Sequence, residues 1–197
     1  MKTIKTLVLT MITAVMIATL AVTAGPVSAV ESIGPYYATP AWDQKLPCPT
    51  TDNCPRFIVL SNWTDPGFTE GVAVLDRETG LVWQRSPNKL SKFPWEDASI
   101  SCVATTIGGR LGWRLATIQE LASLVEPFFP FPSPSLPPGH PFLDVQRDLP
   151  YWSATTQIGF PGTAYTVGFD LGNVSGSLKS VALHFWCVRG GHGVDPQ

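Results

Sequence analysis

Four cysteines, three histidines and a set of aromatics near the C-terminus are the residues of this 197-residue chain whose types could do chemistry. Cys48 and Cys54 bracket the polar turn Pro-Thr-Thr-Asp-Asn, while Cys102 and Cys187 lie in the middle and near the end of the chain. Three pairings are open to four cysteines. Cys48–Cys54 would close a small loop. Cys102–Cys187 would then close a long one, worth about 4–5 kcal/mol in the chain-entropy model. A zinc site or a catalytic thiol is the competing use. The cysteines show no C-x-x-C pair, and His140, His184 and His192 show no ligand spacing. No metal and no cofactor are therefore expected. A nucleophile-elbow motif and a paired-carboxylate pattern are also missing, so no catalytic residue is expected.

The second chemistry is recognition. Tyr151, Trp152, His184 and Trp186 are aromatic, and aromatic faces can stack on sugar rings. Asp170 and Asn173 could accept hydrogen bonds from hydroxyl groups beside them. In the run Leu183 to Val188, Leu183, Phe185 and Cys187 share one face of a strand, and His184, Trp186 and Val188 share the other. If Cys187 turns inward to Cys102, His184 and Trp186 turn outward. The alternative is that a loop covers Trp186.

These residues need elements to position them. Arg56–Leu60 reads as a short strand, and 71–85 as a hairpin turning at Asp76 to Gly80, where Gly80 can supply a positive φ. Trp83, in its second strand, reads as a core anchor. Residues 93–109 read as a helix with Pro94 in its first turn, Glu96 and Asp97 at its positive end, and Gly108-Gly109 ending it. Trp95, Ala98, Cys102 and Thr105 fall on one face. Thr117-Ile118-Gln119-Glu120 is a capping box, and Ile118, Leu121, Ala122 and Val125 make the buried face of the helix that follows. The intervening Gly-Gly-Arg-Leu-Gly-Trp-Arg-Leu reads as a corner between two helices, with Trp113 and Leu115 inserted into the core. It matches neither the phosphate-binding nor the dinucleotide-binding glycine motif. Residues 126–141 hold seven prolines and read as an extended loop stapled by Phe128, Phe129 and Phe131. Tyr151–Thr156, Thr163–Leu171 and Ala182–Gly190 read as three antiparallel strands.

Residues 1–29 read as a secretory signal. Lys2 and Lys5 precede an apolar run from Leu7 to Ala24, and Val27-Ser28-Ala29 is a small-residue cleavage site. An uncleaved anchor is the alternative, since the run is near bilayer length. Cleavage after Ala29 would remove both lysines and leave 11 Lys and Arg against 15 Asp and Glu, a net charge of −4. An acidic, exported chain with scattered cations is not expected to hold nucleic acid. A secreted, periplasmic or surface location and structural disulfides follow from the same reading. The chain then divides into the signal, an irregular N-terminal segment over 30–69, a main domain over 70–191 and a short tail over 192–197. No membrane span is expected after cleavage, and the oligomeric state is open.

Five separated motifs resemble the Lcl C-terminal domain family, a family long classed as of unknown function. They are Asp-Arg-Glu-Thr-Gly-Leu-Val-Trp-Gln-Arg at 76–85, Trp95 with Ala98 and Cys102, Gly112 to Val125, Tyr-Trp-Ser-Ala-Thr at 151–155, and Cys-Val-Arg-Gly at 187–190. The resemblance implies an α+β, C-type-lectin-like fold related to that of formylglycine-generating enzymes. Two helices would pack on a small twisted antiparallel sheet with long irregular loops, and the first-helix cysteine would bond the last-strand cysteine. Ala116 stands where the family usually has proline, and Trp186 where it often has a basic residue. The founding member is a collagen-like adhesin that binds sulfated polysaccharides. This chain has no collagen repeat, is acidic, and lacks the calcium-lectin tripeptides. The expectation is an exported, non-enzymatic binding module for a glycan or another envelope component, with Tyr151, Trp152, Asp170, Asn173, His184 and Trp186 at its site. A structural or assembly protein of the surface is the alternative. An enzyme akin to formylglycine generation comes third, because only Cys102 and Cys187 are available for its cysteine pair and copper.

Overall fold

The computed structural model describes residues 46–67, 69–87, 91–126 and 134–190. The signal reading over 1–29, the phenylalanines Phe128, Phe129 and Phe131, and His192 lie outside the described residues. Two disulfides, Cys48–Cys54 and Cys102–Cys187, use all four cysteines. The described helices are too short and polar to cross a membrane.

In chain order the elements are β1 (Phe57–Val59), β2 (Ala73–Asp76), β3 (Leu81–Gln84), α1 (Trp95–Ala104), β4 (Trp113–Leu115), α2 (Ile118–Ala122), β5 (Tyr151–Gln157), β6 (Phe160–Val167), β7 (Val174–Leu178), β8 (His184–Phe185) and β9 (Cys187–Arg189). The class is α+β. The strands form two sheets rather than the expected one, in the orders β1-β2-β3-β9-β4 and β7-β6-β5-β8.

The local signals act as their chemistry dictates. Gly80 takes φ +69° in the β2–β3 hairpin, and Trp83 is fully buried. The Thr117 side chain accepts from Glu120 N and the Glu120 carboxylate accepts from Thr117 N, closing the capping box of α2. Arg114 of β4 grips the same carboxylate with two bonds of 2.8 and 2.6 Å, so strand and helix share one anchor. On α1, Ala98 and Cys102 are buried, and Trp95 is half-buried with its indole donating to Ser153 O. Arg56 and Asp76 form a buried bidentate pair at 3.2 and 3.0 Å, and Arg56 also donates to Ser123 O just past α2. That triangle ties the N-terminal segment to the hairpin turn and to α2.

Three expectations about the fold change. First, Gly108-Gly109 does not end α1. The helix stops at Ala104 with Thr105 already extended, and the two glycines sit in a separate 3-10 turn, Ile107–Gly109. Gly108 is there at φ +61°, and a Cβ would meet the Trp63 Cβ at 2.8 Å, so the segment around Trp63 docks on a surface only glycine leaves open. Second, Trp113 and Leu115 are buried as expected but belong to β4, which pairs with β9, not to a corner between helices. Third, the last strand is not one strand. β8 runs parallel to β5 in the four-stranded sheet, whereas β9 pairs antiparallel with β3 and β4 in the five-stranded sheet. Trp186 is the residue between them.

This crossing joins two cores. One centres on Trp83, Tyr151, Phe169 and Trp186; the other centres on Cys102, Trp113, Trp152 and Phe185. Cys187, next to Trp186, carries the disulfide into the second core from its start in α1. The 85-residue span of Cys102–Cys187 against 6 for Cys48–Cys54 sets their relative effect. Loop entropy gives about 4–5 kcal/mol for the first and about 2 kcal/mol for the second. Replacing both Cys102 and Cys187 with Ala is therefore expected to lower the melting temperature far more than replacing both Cys48 and Cys54. Calorimetric melts of the two double variants check this ordering.

Candidate functional site

The structure separates the six residues named for recognition into two sets. Tyr151, Trp152, His184 and Trp186 are all buried, whereas Asp170 and Asn173 are exposed. The outward-facing aromatic platform does not form. Trp186 has no exposed surface, and its indole nitrogen donates to Gln84 O at 2.8 Å. Its ring lies 4.9 Å from Phe142, 5.6 Å from Phe169, 5.7 Å from Trp83 and 5.8 Å from Tyr151. The physical reason is the crossing of the last strand: a chain passing between two sheets has neighbours on both of its faces. Phe142, just beyond the Pro-rich segment, supplies part of the cover. Trp152 belongs to the other core and donates to Phe93 O at 2.9 Å. No ring of this set is open to stack on a sugar.

The polar pair lies elsewhere. Asp170 and Asn173 belong to the loop between β6 and β7, which Gly168 closes by donating its N–H to Asn173 O at 2.9 Å. A Cβ at position 168 would stand 2.6 Å from Asn173 Oδ1 and 2.7 Å from Asp170 Oδ1. The missing side chain at Gly168 thus lets both oxygens fold over the strand end. They line a cleft of 220 Å³ together with Arg147, Asp148, Pro150 and Ser175. Two loops build it, one entering β5 and one leaving β6, and these strands are neighbours in one sheet.

Asp148 and Arg147 are site residues that sequence reasoning missed. Asp148 accepts from Lys92 at 2.7 Å and meets His184 Nε2 at 2.8 Å. The Lys92 bond first, and the His184 bond second, hold its carboxyl well below the usual carboxylate range. Its side chain remains 53% exposed, so it is an anchored anion at the rim. No spacing in the sequence links position 148 to 92 or 184; the contact is purely tertiary. Beneath it, the Tyr151 and His184 rings pack at 5.2 Å with a tilt of 31°, and Gln146 N donates to the Tyr151 hydroxyl at 2.6 Å. Burial pushes the Tyr151 phenol upward, so it stays protonated. The buried His184 and Tyr151 therefore act from below, by fixing the loop that carries Arg147 and Asp148.

Two larger clefts, of 320 and 540 Å³, meet at Arg85 and Leu143. Arg85 is already engaged by Glu70 at 2.8 Å, Gly71 O at 3.1 Å and Pro141 O at 3.2 Å. His140 lines the larger one, stacked 6.0 Å from Phe142, and burial lowers its pKa against an opposing bond to the Phe142 backbone. The cleft at Asp170 is the better candidate, because there two exposed polar side chains, Asp170 and Asn173, converge over one glycine. Among the described residues, no group of three or more His, Cys, Asp or Glu side chains is placed to hold a metal.

Residues 72–189 match the Lcl C-terminal domain. No curated protein matches the chain.

Two outcomes follow from this geometry. Trp186→Ala should cost about 3–5 kcal/mol of stability by emptying the centre of the first core, measured by denaturant unfolding. His140 titrates against folding. Its folded pKa lies below the ordinary 6.5, so the unfolded chain takes up the proton first and stability falls as pH drops below about 6.5. Melts between pH 7.5 and 5 should show this decline, and His140→Phe, which keeps a ring against Phe142, should flatten it.

Proposed function

Because the chain belongs to the Lcl C-terminal domain family, we propose that it is an exported, non-enzymatic binding module whose cleft at Asp148, Asp170 and Asn173 receives a hydroxyl-rich ligand, a glycan or another envelope component. The observation that carries this reading is the convergence of the Asp170 and Asn173 oxygens over Gly168, facing the anchored Asp148 across a small cleft. Carboxylate and amide oxygens accept from vicinal hydroxyls, and Arg147 can donate to a ring or carbonyl oxygen. Leu149 and Pro150 offer apolar surface beside them. Recognition would rest on hydrogen bonds to fixed strand ends, not on aromatic stacking.

Two facts support the other parts of the reading. All four cysteines are in disulfides, which suits an oxidising compartment and leaves no thiol pair for oxidative chemistry. Asp148 is held well below the usual carboxylate range by its bonds to Lys92 and His184, whereas a general acid or base must exchange its proton near working pH.

A glycan array followed by calorimetry tests the proposal. Asp170→Ala and Asn173→Ala should each weaken binding of an array hit by about tenfold, the value of one hydrogen bond, with the melt unchanged. The ligand should be recovered chemically intact after long incubation. An empty array, or hits indifferent to both variants, would contradict the site; turnover of the ligand would contradict the non-enzymatic role.

A further inference from the structure

β7 is the outer strand of the four-stranded sheet; among the described residues it pairs with β6 alone. Its register with β6 is regular over five consecutive pairs, from Thr163↔Leu178 to Val167↔Val174. Lys179 N donates to Gly162 O and Gly168 N to Asn173 O, which fixes the phase of the ladder. Antiparallel bonding alternates along a strand. Positions 173, 175, 177 and 179 therefore bond β6, and the backbone N–H and C=O groups of Val174, Gly176 and Leu178 point to the free edge.

That edge has the sequence Val-Ser-Gly-Ser-Leu, which reads nearly the same in both directions about Gly176. It carries no charge, no proline and no bulge, the usual devices that keep exposed edges from pairing. Val174 and Leu178 are 50% and 59% exposed. The charges that flank the strand are of opposite sign, Asp170 before it and Lys179 after it. Lys179 is already held in its own subunit by Thr156 Oγ1 at 2.8 Å and the Trp95 ring at 4.0 Å, so these charges set no register and the pairing rests on the edge itself.

We propose that β7 is the interface of a two-fold homodimer, formed by antiparallel pairing of two copies of this edge with Gly176 on the axis. Gly176 faces its own counterpart. Val174 faces Leu178 of the second copy and Ser175 faces Ser177. Three residue pairs, centred on 174, 176 and 178, then exchange both backbone bonds, and the two sheets become one continuous sheet. Each Val174–Leu178 contact occurs twice by symmetry, as an isologous interface requires. Within the subunit a Cβ at Gly176 would collide with Gln157 Oε1, so the glycine serves the packing of the sheet face, and the axis is set by the register alone. A pairing of this length is modest in area, so the dimer should be concentration-dependent.

Sedimentation velocity of the exported full chain, from micromolar to near-millimolar concentration, should show a monomer–dimer equilibrium. Leu178→Lys should weaken association by about tenfold or more, with the melting temperature of the dilute protein unchanged. Val174→Lys should do the same, because that exposed side chain faces Leu178 of the second copy. A cysteine pair tests the register independently. Ser175 and Ser177 form a pair without backbone bonds, where Cα atoms approach to about 4.5 Å, within disulfide range. Mixed Ser175→Cys and Ser177→Cys proteins should cross-link under mild oxidation much faster than either alone. A monomer at every concentration would overturn the proposal. So would a dimer indifferent to both edge variants, or cross-linking of Ser175→Cys with itself as fast as the mixture.

Discussion

The passage of the chain from one sheet to the other at Trp186 is the constraint on which the remainder depends. β8 belongs to one sheet and β9 to the other, and one residue separates them. Both faces of this segment are therefore interior. Trp186 fills the space on one side, against four other rings, and Cys187 bonds to α1 on the other. The sheets have further direct links, in Ala154 N to Ala116 O at 2.7 Å and Ile118 N to the Thr155 hydroxyl at 3.0 Å. These fix β5 to the start of α2. A strand segment that pairs with both sheets is hard to move without disturbing each of them, and so the loops at the sheet ends are set on rigid supports.

The candidate cleft inherits its geometry from that arrangement. Tyr151 begins β5 and His184 begins β8, and these two residues are partners in the parallel ladder. Their rings pack at a tilt, and His184 reaches up to Asp148 while Tyr151 accepts from Gln146. The loop bearing Arg147 and Asp148 is thus tied to the core at both points. Across the cleft, Phe169 anchors the loop bearing Asp170 by packing on Tyr151 at 5.3 Å and Trp186 at 5.6 Å. Residues that looked like a recognition surface act as the foundation of one.

What could be read from the sequence follows the range of the interactions. The hairpin at Gly80, the capping box at Thr117 and Glu120, the buried Trp83 and the two disulfides rest on neighbours or on few alternatives, and each stands in the structure. The orientation of Trp186 failed because alternation only assigns residues to two faces; it does not say that one face is wet. A clue was present. From Leu183 to Val188 neither face carries a Lys, Arg, Asp or Glu, as in strands covered on both sides. β7 went unread because Ser and Gly have low strand propensity. β4 went unread because three residues between a glycine turn and a cap leave no periodicity to detect. The Asp148 contacts could not be inferred at all, since Lys92 and His184 are 56 and 36 positions away.

The crossing at Trp186 closes both cores, with its indole sealed inside and bonded to Gln84 O. Hydrogen exchange of the Trp186 indole N–H, followed by NMR in heavy water, addresses it directly. The expected result is protection as strong as that of the slowest backbone amides, so that exchange requires global unfolding. Exchange of that proton at near solvent rates in the folded protein, while the amides of β3 and β9 remain protected, would contradict it.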